Sequence, residues 1–333
     1  MERRDFIKTA GTTTLAMMAA GSLSNCDSPS AKKQKQQTAT GKPSVFMTTA
    51  ITPESLLAIY SMTGRHLKGK VAVKVSTGEA GNQHYLSPDL IKELVLSTNG
   101  TIVECNTAYA GKRLKTEEHR EVAKEHGFTA IAEVDIMDEN GSVSLPFPEG
   151  KHLKEDFVGA NFKNYDSWLV LSHFKGHQMA GFGGALKNIS IGIGSSSGKA
   201  WIHSAGKTDN VDELWDNLPE QNDFVESMAE AAGAVMKAIG DNVVYINIMN
   251  HLSIDCDCNG NPAPPELDDI GILASLDPVA LDKACVDLIY AADTQRSASL
   301  RQRIEQQNGT LILTHAESLG LGSRQYELVD INT

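Results

Sequence analysis

The densest chemistry in this sequence lies between Leu169 and Ser204. Two histidines, His173 and His177, follow an apolar run from Trp168 to Leu171, and a glycine-dense loop (Gly181, Gly183, Gly184) leads to Lys187. A second small-residue loop, Gly192 to Gly198, precedes His203. Imidazoles tuned near neutrality move protons or bind metals, and a lysine can hold an anion or a cofactor. Glycine lets the main chain turn sharply and approach a ligand closely, so Gly183 and Gly184 are read with Lys187 as cofactor-binding positions. Each position also has a plainer reading: histidines capping a strand end, a lysine on helix carbonyls, glycines serving turns, and His203 packed or at the surface.

A second constellation is Cys256-Asp257-Cys258, set in the loop-like run His251-Leu-Ser-Ile-Asp-Cys-Asp-Cys-Asn-Gly. Thiolates one residue apart can face one soft metal, and histidines from the first stretch could complete its ligand set. The spacing is too short for the two to bridge each other comfortably, so disulfides to Cys105 or Cys285 and plain thiols stay open. His177 and His173 are thus the expected catalytic residues, and His203, Cys256 and Cys258 the expected metal ligands. The metal itself (nickel, iron or zinc) and the cofactor stay undetermined. No His-Glu-x-x-His or Walker loop is present.

Strands must alternate with helices to position these residues. Val45–Ala50, Lys70–Ser76, Thr101–Cys105, Ala130–Asp135, Asn242–Ile248 and Thr310–Thr314 read as strands. Helices are expected after Thr52-Pro53-Glu54, after Ser87-Pro88-Asp89, over Thr116–His126 and Asn222–Ile239, after Asp277-Pro278, and over Ala298–Gln307. The alternation predicts an α/β fold, a mostly parallel sheet with helices on both faces, over 44–333, with lobes at 44–165 and 166–333 as one division. Ligands of such sheets bind beyond the carboxyl ends of the strands, where His173 would emerge.

The 333 residues are 41% hydrophobic and 22% charged, with a net charge of −12. That balance suits a globular protein and argues against nucleic acid as partner, which demands clustered Lys and Arg. Arg3-Arg4 before Phe6-Ile7-Lys8 resembles a twin-arginine export signal, and Leu23-Ser-Asn-Cys26 a lipoprotein cleavage box, with Cys26 acylated. Residues 1–26 are therefore expected to be an export signal and 27–43, poor in apolar side chains, a tether. The expected location is the outer side of the cytoplasmic membrane or the periplasm, membrane-anchored through lipid.

Asn106-Thr-Ala-Tyr-Ala-Gly-Lys-Arg113, Gly183-Gly-Ala-Leu-Lys-Asn188, Cys256-Asp-Cys258 and Asp269-Ile-Gly-Ile-Leu-Ala-Ser-Leu-Asp-Pro-Val-Ala-Leu-Asp282 resemble the family called domain of unknown function 362. That resemblance implies an α/β fold and frequent association with iron–sulfur modules. The chain lacks the ferredoxin-type four-cysteine insertion. More distantly, His177, Gly181-Phe-Gly-Gly184, Lys187 and His203 fall in the order found in the nickel-pincer lactate racemase family, with similar spacings. That likeness implies His177 as a proton-transfer base, Lys187 as cofactor tether and His203 as metal ligand. No Asp-x-Thr-Arg stands near the early strand; Val75-Ser-Thr-Gly-Glu-Ala-Gly81 occupies that region. Two functions follow as expectations. One is an exported cofactor- or metal-dependent enzyme, racemase-like or redox, acting on a small polar or hydroxy-acid substrate. The other is a lipid-anchored metal- or iron–sulfur-associated accessory in electron transfer, without turnover.

Overall fold

The computed structural model describes residues 41–332. The expected export signal, Cys26 and most of the tether lie outside the described residues. Twelve strands are formed: β1 Ser44–Thr48, β2 Val71–Lys74, β3 Gly100–Glu104, β4 Val134–Ile136, β5 Ser142–Pro146, β6 Glu155–Gly159, β7 Ser167–His173, β8 Lys175–His177, β9 Gly181–Gly183, β10 Val243–Met249, β11 Gly271–Ser275 and β12 Glu327–Asp330. Eight of them make one sheet in the order β12-β1-β11-β10-β7-β2-β3-β4. Pairing is parallel except at β11, which runs against both β1 and β10, so seven strands share one direction. β5–β6 and β8–β9 are separate two-stranded hairpins.

The helices are α1 Pro53–Met62, α2 Pro88–Ser97, α3 Thr116–Glu125, α4 Ala185–Ile189, α5 Ser196–His203, α6 Gln221–Ile239, α7 Pro278–Ala291, α8 Ala298–Gln306 and α9 Leu311–Ser318. Both faces of the sheet are covered, which is why β7 and β10 read as continuous apolar runs rather than alternating ones. Trp168 and Val170 pack with α4, α6, α7 and α9 on one face. Leu169 and Leu171 pack with Leu56 and Ile59 of α1 and Ile91 and Leu94 of α2 on the other. The expected helix starts hold: Thr52 accepts from Ser55 N at 3.2 Å, and Asp277 accepts from Val279 N and Ala280 N, both at 2.9 Å. Ser87 precedes α2 without a side-chain cap.

Thr310–Thr314 is not a strand. Leu311-Ile-Leu opens α9, whose buried side is Ile312, Leu313 and Ala316; an apolar run this short fits either period. No helix among the described residues is long and apolar enough to cross a membrane.

Candidate functional site

β2, β3 and β7 end together, and their carboxyl ends open on a cavity of about 90 Å³. That is room for several waters or a small anion. Lys74, Glu104 and His173 stand at these strand ends; the β8–β9 hairpin and α4 bring Lys175, Gly183, Gly184 and Lys187. Lys199 comes from α5, Arg113 from a short turn before α3, and Cys256, Asp257 and Cys258 from the loop after β10. The histidine stretch and the Cys-x-Cys loop therefore share one wall.

The glycines make room for the protein's own side chains. A Cβ on Gly183 would stand 3.0 Å from Lys187 Cδ, so the lysine stem lies across this glycine. A Cβ on Gly184 would meet Asp282 Oδ1 at 2.3 Å. Asp282 needs that space because its carboxylate accepts from Ala185 N (2.7 Å) and Leu186 N (2.9 Å) at the start of α4. Gly176 lies against the Ile254 carbonyl, with an added Cβ only 2.4 Å from it, which fixes the cysteine loop on β8.

The cavity wall carries five cations, Lys74, Arg113, Lys175, Lys187 and Lys199, against two carboxylates, Glu104 and Asp257. Some are neutralised. Lys175 Nζ donates to Asp257 Oδ1 at 2.9 Å, and His173 Nδ1 meets Oδ2 at 3.0 Å. Burial would raise the Asp257 pKa, yet the charges of His173 and Lys175 prevail and hold it at about 2. Arg113 lies between Glu104 (3.3 Å) and Glu79 (3.5 Å), and His119 bonds Glu104 at 2.8 Å. Against burial, Arg113 and His119 keep Glu104 well below the usual carboxylate range.

The other three lysines have no carboxylate partner. Lys74 Nζ donates to the Val75 carbonyl and to Asn188 Oδ1 (3.0 Å); Lys199 Nζ donates to the Gly194 carbonyl (2.6 Å). Lys187 Nζ has neither a hydrogen bond nor an ion pair among the described residues. Burial lowers the pKa of all three. Lys74 falls to about 8 despite the Glu104 charge, and Lys187 to about 8 with help from Lys74 and Arg113. A charge buried without a partner is costly, so three such amines at one hollow define a place for an anion.

The histidines divide by tautomer. His177 Nδ1 accepts from Met179 N (3.2 Å) and Ala180 N (3.0 Å), which leaves the ring proton on Nε2. Burial, and then the Lys187 charge, press its pKa well below 6.5, so it is neutral at pH 7. It presents an N–H donor and lacks the free nitrogen lone pair that a resting base needs. His173 has both nitrogens engaged, by Asp257 and by the Asn250 carbonyl (2.8 Å), and serves to hold Asp257. His203, at the end of α5, is buried off the cavity wall. Its Nδ1 donates to the Lys199 carbonyl (2.6 Å) and its ring stacks on Phe224 at 5.1 Å. Burial takes its pKa to about 4. Its Nε2 carries the lone pair suited to a metal.

Cys256 and Cys258 correct one expectation, that their spacing is too short for them to bridge each other. They are joined to each other in a disulfide, with Cα atoms 5.3 Å apart. The backbone turns here, with Asn259 N donating to the Cys256 carbonyl at 3.1 Å, and brings the two Cα atoms to a separation within the ordinary range for a disulfide. While that bond stands, neither sulfur is a free thiolate for a metal. A ring nitrogen of His177 and the two sulfurs do lie within 4.8 Å of one another, so His177 rather than His203 is the imidazole beside them. Cys105 and Cys285 are free and buried.

Sequence reasoning missed Lys74, Arg113, Lys175 and Lys199. Lys74 carried a signal as a cation closing the apolar run Val71-Ala-Val, and Arg113 as the last residue of the motif Asn106–Arg113, though neither was given a role.

The profile of the family described as "Domain of unknown function (DUF362)" matches residues 71–287. No curated protein matches the chain. Among solved structures, the lactate racemase apoprotein of Thermoanaerobacterium thermosaccharolyticum is similar at 15% identity and a TM-score of 0.37, over 62% of this chain and 50% of that one. A structural-genomics protein from Thermotoga maritima is similar at 15% identity and a TM-score of 0.40, over 72% of this chain and 59% of that one. The chain thus spans between half and three fifths of the length of these two proteins.

Proposed function

This chain belongs to the domain of unknown function 362 family, and from that premise we propose that it is an exported protein binding a small organic anion in the lysine-lined cavity. The anion is a hydroxy-acid substrate or an anionic cofactor. One observation carries the reading: Lys74, Lys187 and Lys199 line a single hollow, none of them ion-paired among the described residues, and with Arg113 and Lys175 they outnumber its two carboxylates. A carboxylate or phosphate placed there would supply the missing charge, with Arg113 as a further donor.

Within this reading Lys187 is the reactive amine. With a pKa of about 8, part of it is neutral at pH 7, as a nucleophile forming a covalent link to a cofactor requires. His177 offers its Nε2–H as a hydrogen bond that polarises an oxygen of the bound molecule, the role open to a neutral imidazole. A metal arriving with such a cofactor would supply Lewis-acid chemistry; His203 Nε2 has the tautomer that suits it but would have to be reached from behind the present cavity wall. Racemase-like chemistry on a 2-hydroxy acid is the enzymatic form of this proposal. Export and lipid attachment at Cys26 belong to the same proposal and place the cavity outside the cytoplasm.

The test is calorimetric titration of the full chain with oxalate, L-lactate and orthophosphate, beside Lys187→Gln. Intact-mass and metal analysis of protein purified from its own membrane would run in parallel. Binding of at least one anion, weakened tenfold or more in the variant, is expected. No binding of any of the three, with Lys187 unmodified and no metal bound, would remove the proposal.

A further inference from the structure

We propose that Cys256 and Cys258 are a reversible dithiol–disulfide couple that exchanges two electrons with a small thiol entering the cavity. The juxtaposition behind it is a disulfide on the wall of a cation-lined hollow, beside His177, while the other two described cysteines are buried.

A structural staple explains the bond poorly. A bridge across one intervening residue closes a minimal loop and removes little freedom from the unfolded chain. The loop is also held without it. Glu79 N donates to the Asp257 carbonyl (2.8 Å), Asn82 Nδ2 donates to the Asn259 carbonyl (2.8 Å), and Asp257 itself is gripped by Lys175 and His173. Gly176 and Gly260 allow backbone to pack directly on the Ile254 and Ala80 carbonyls. Opening the sulfur–sulfur bond therefore leaves the main chain where it is.

The surroundings favour the reduced form. Lys175, Lys187 and Arg113 line the same hollow as the sulfurs, and cations stabilise thiolates. The Cys258 N–H donates to Cys256 Sγ at 3.4 Å, which marks Cys256 as the sulfur better able to leave as thiolate. Exchange then runs in two displacements. An incoming thiolate attacks Cys258 Sγ, forming a mixed disulfide and expelling Cys256 as thiolate. A second external thiolate attacks the external sulfur of that mixed disulfide and releases Cys258 as thiolate. The protein disulfide gains two electrons, and two small thiols lose them to become one small disulfide.

The experiment equilibrates the full-length protein with graded ratios of reduced to oxidised glutathione, quenches with acid, and labels with N-ethylmaleimide. Two labels, at Cys256 and Cys258, are expected to appear in one two-electron step, over a label at Cys26 that is constant across the ratios wherever that cysteine is not acylated. Cys105 and Cys285 should stay unlabelled until the protein is denatured, and the far-ultraviolet circular dichroism should be unchanged. Lys187→Gln should move the equilibrium constant about tenfold towards the disulfide, the scale of one nearby charge at intermediate dielectric. Cys256→Ser should accumulate a glutathione adduct at Cys258 more readily than Cys258→Ser does at Cys256. A pair that resists glutathione while folded, or that opens only as the fold is lost, would overturn the proposal. The labelling needs no anion, so its failure is distinct from failure of the anion site.

Discussion

Lys74→Met separates what the site needs from what the fold needs. Lys74 is 1% exposed and sits at the end of a central strand. Its amine falls from 10.5 to about 8 because burial outweighs the Glu104 charge. At about 1.4 kcal/mol per pH unit, keeping it ionised at pH 7 costs the folded state about 3 kcal/mol. The unfolded lysine holds its proton up to about pH 10.4, so between the two values the unfolded state binds more protons and stability rises with pH. This penalty is full below pH 8 and disappears by about pH 10.5. Methionine has similar volume and no charge, and its variant lacks that increment. Wild type should therefore gain about 3 kcal/mol on Lys74→Met between pH 7 and pH 10.5, read from urea unfolding at both pH values. Lys187 titrates in both proteins but is freed of the Lys74 charge in the variant, so its own penalty is smaller there and adds to the difference. At pH 7 the variant should bind oxalate or orthophosphate at least tenfold more weakly. Parallel stabilities at the two pH values would refute the reasoning, since they would mean that the amine is well solvated.

Other outcomes follow from the same geometry. Anion affinity of the wild type should be flat near pH 7 and fall above about pH 8 as Lys74 and Lys187 lose their protons, measured by calorimetry across pH 6–10. Gly183→Ala meets only a flexible lysine stem; it should fold normally and bind the anion more weakly, seen by comparing melting temperature with affinity. Gly184→Ala meets the carboxylate that starts α4 and should lose about 2–4 kcal/mol in urea unfolding. Asp257→Asn leaves His173 and Lys175 without their anion and should cost about 3–5 kcal/mol at pH 7. In wild type the stabilisation from Asp257 is present above about pH 4 and is lost as pH falls towards 2, so the two proteins should converge in acid unfolding.

The parallel part of the sheet was legible because β7 and β10 are buried on both faces and the helices between strands begin with strong caps at Thr52 and Asp277. β11, β12 and the β5–β6 hairpin were not. β5 exposes Ser142, Ser144 and Pro146 and carries little apolar signal, and Gly271-Ile-Leu-Ala-Ser follows an acidic loop that hides its start. The emergence of His173 at a carboxyl strand end was legible, but its meeting with the Cys-x-Cys loop was not, because no local pattern links segments so far apart in the chain. The partner of the sulfurs did not, because register decides whether His177 or His203 faces them. The lysine set stayed hidden because its members come from β2, α4 and α5, and no local pattern links them.

β11 runs backwards through the middle of an otherwise co-directional sheet. A returning strand starts at the edge where its predecessor stops, so residues 250–270 never have to cross a face of the protein. They form an interchangeable roof, hung from two neighbouring strands above the hollow. Such a roof can be lengthened, shortened or rewritten while the beams beneath stay put. New specificities on this scaffold would therefore be sought first in that segment, by grafting it between relatives and following ligand choice and thermal stability separately.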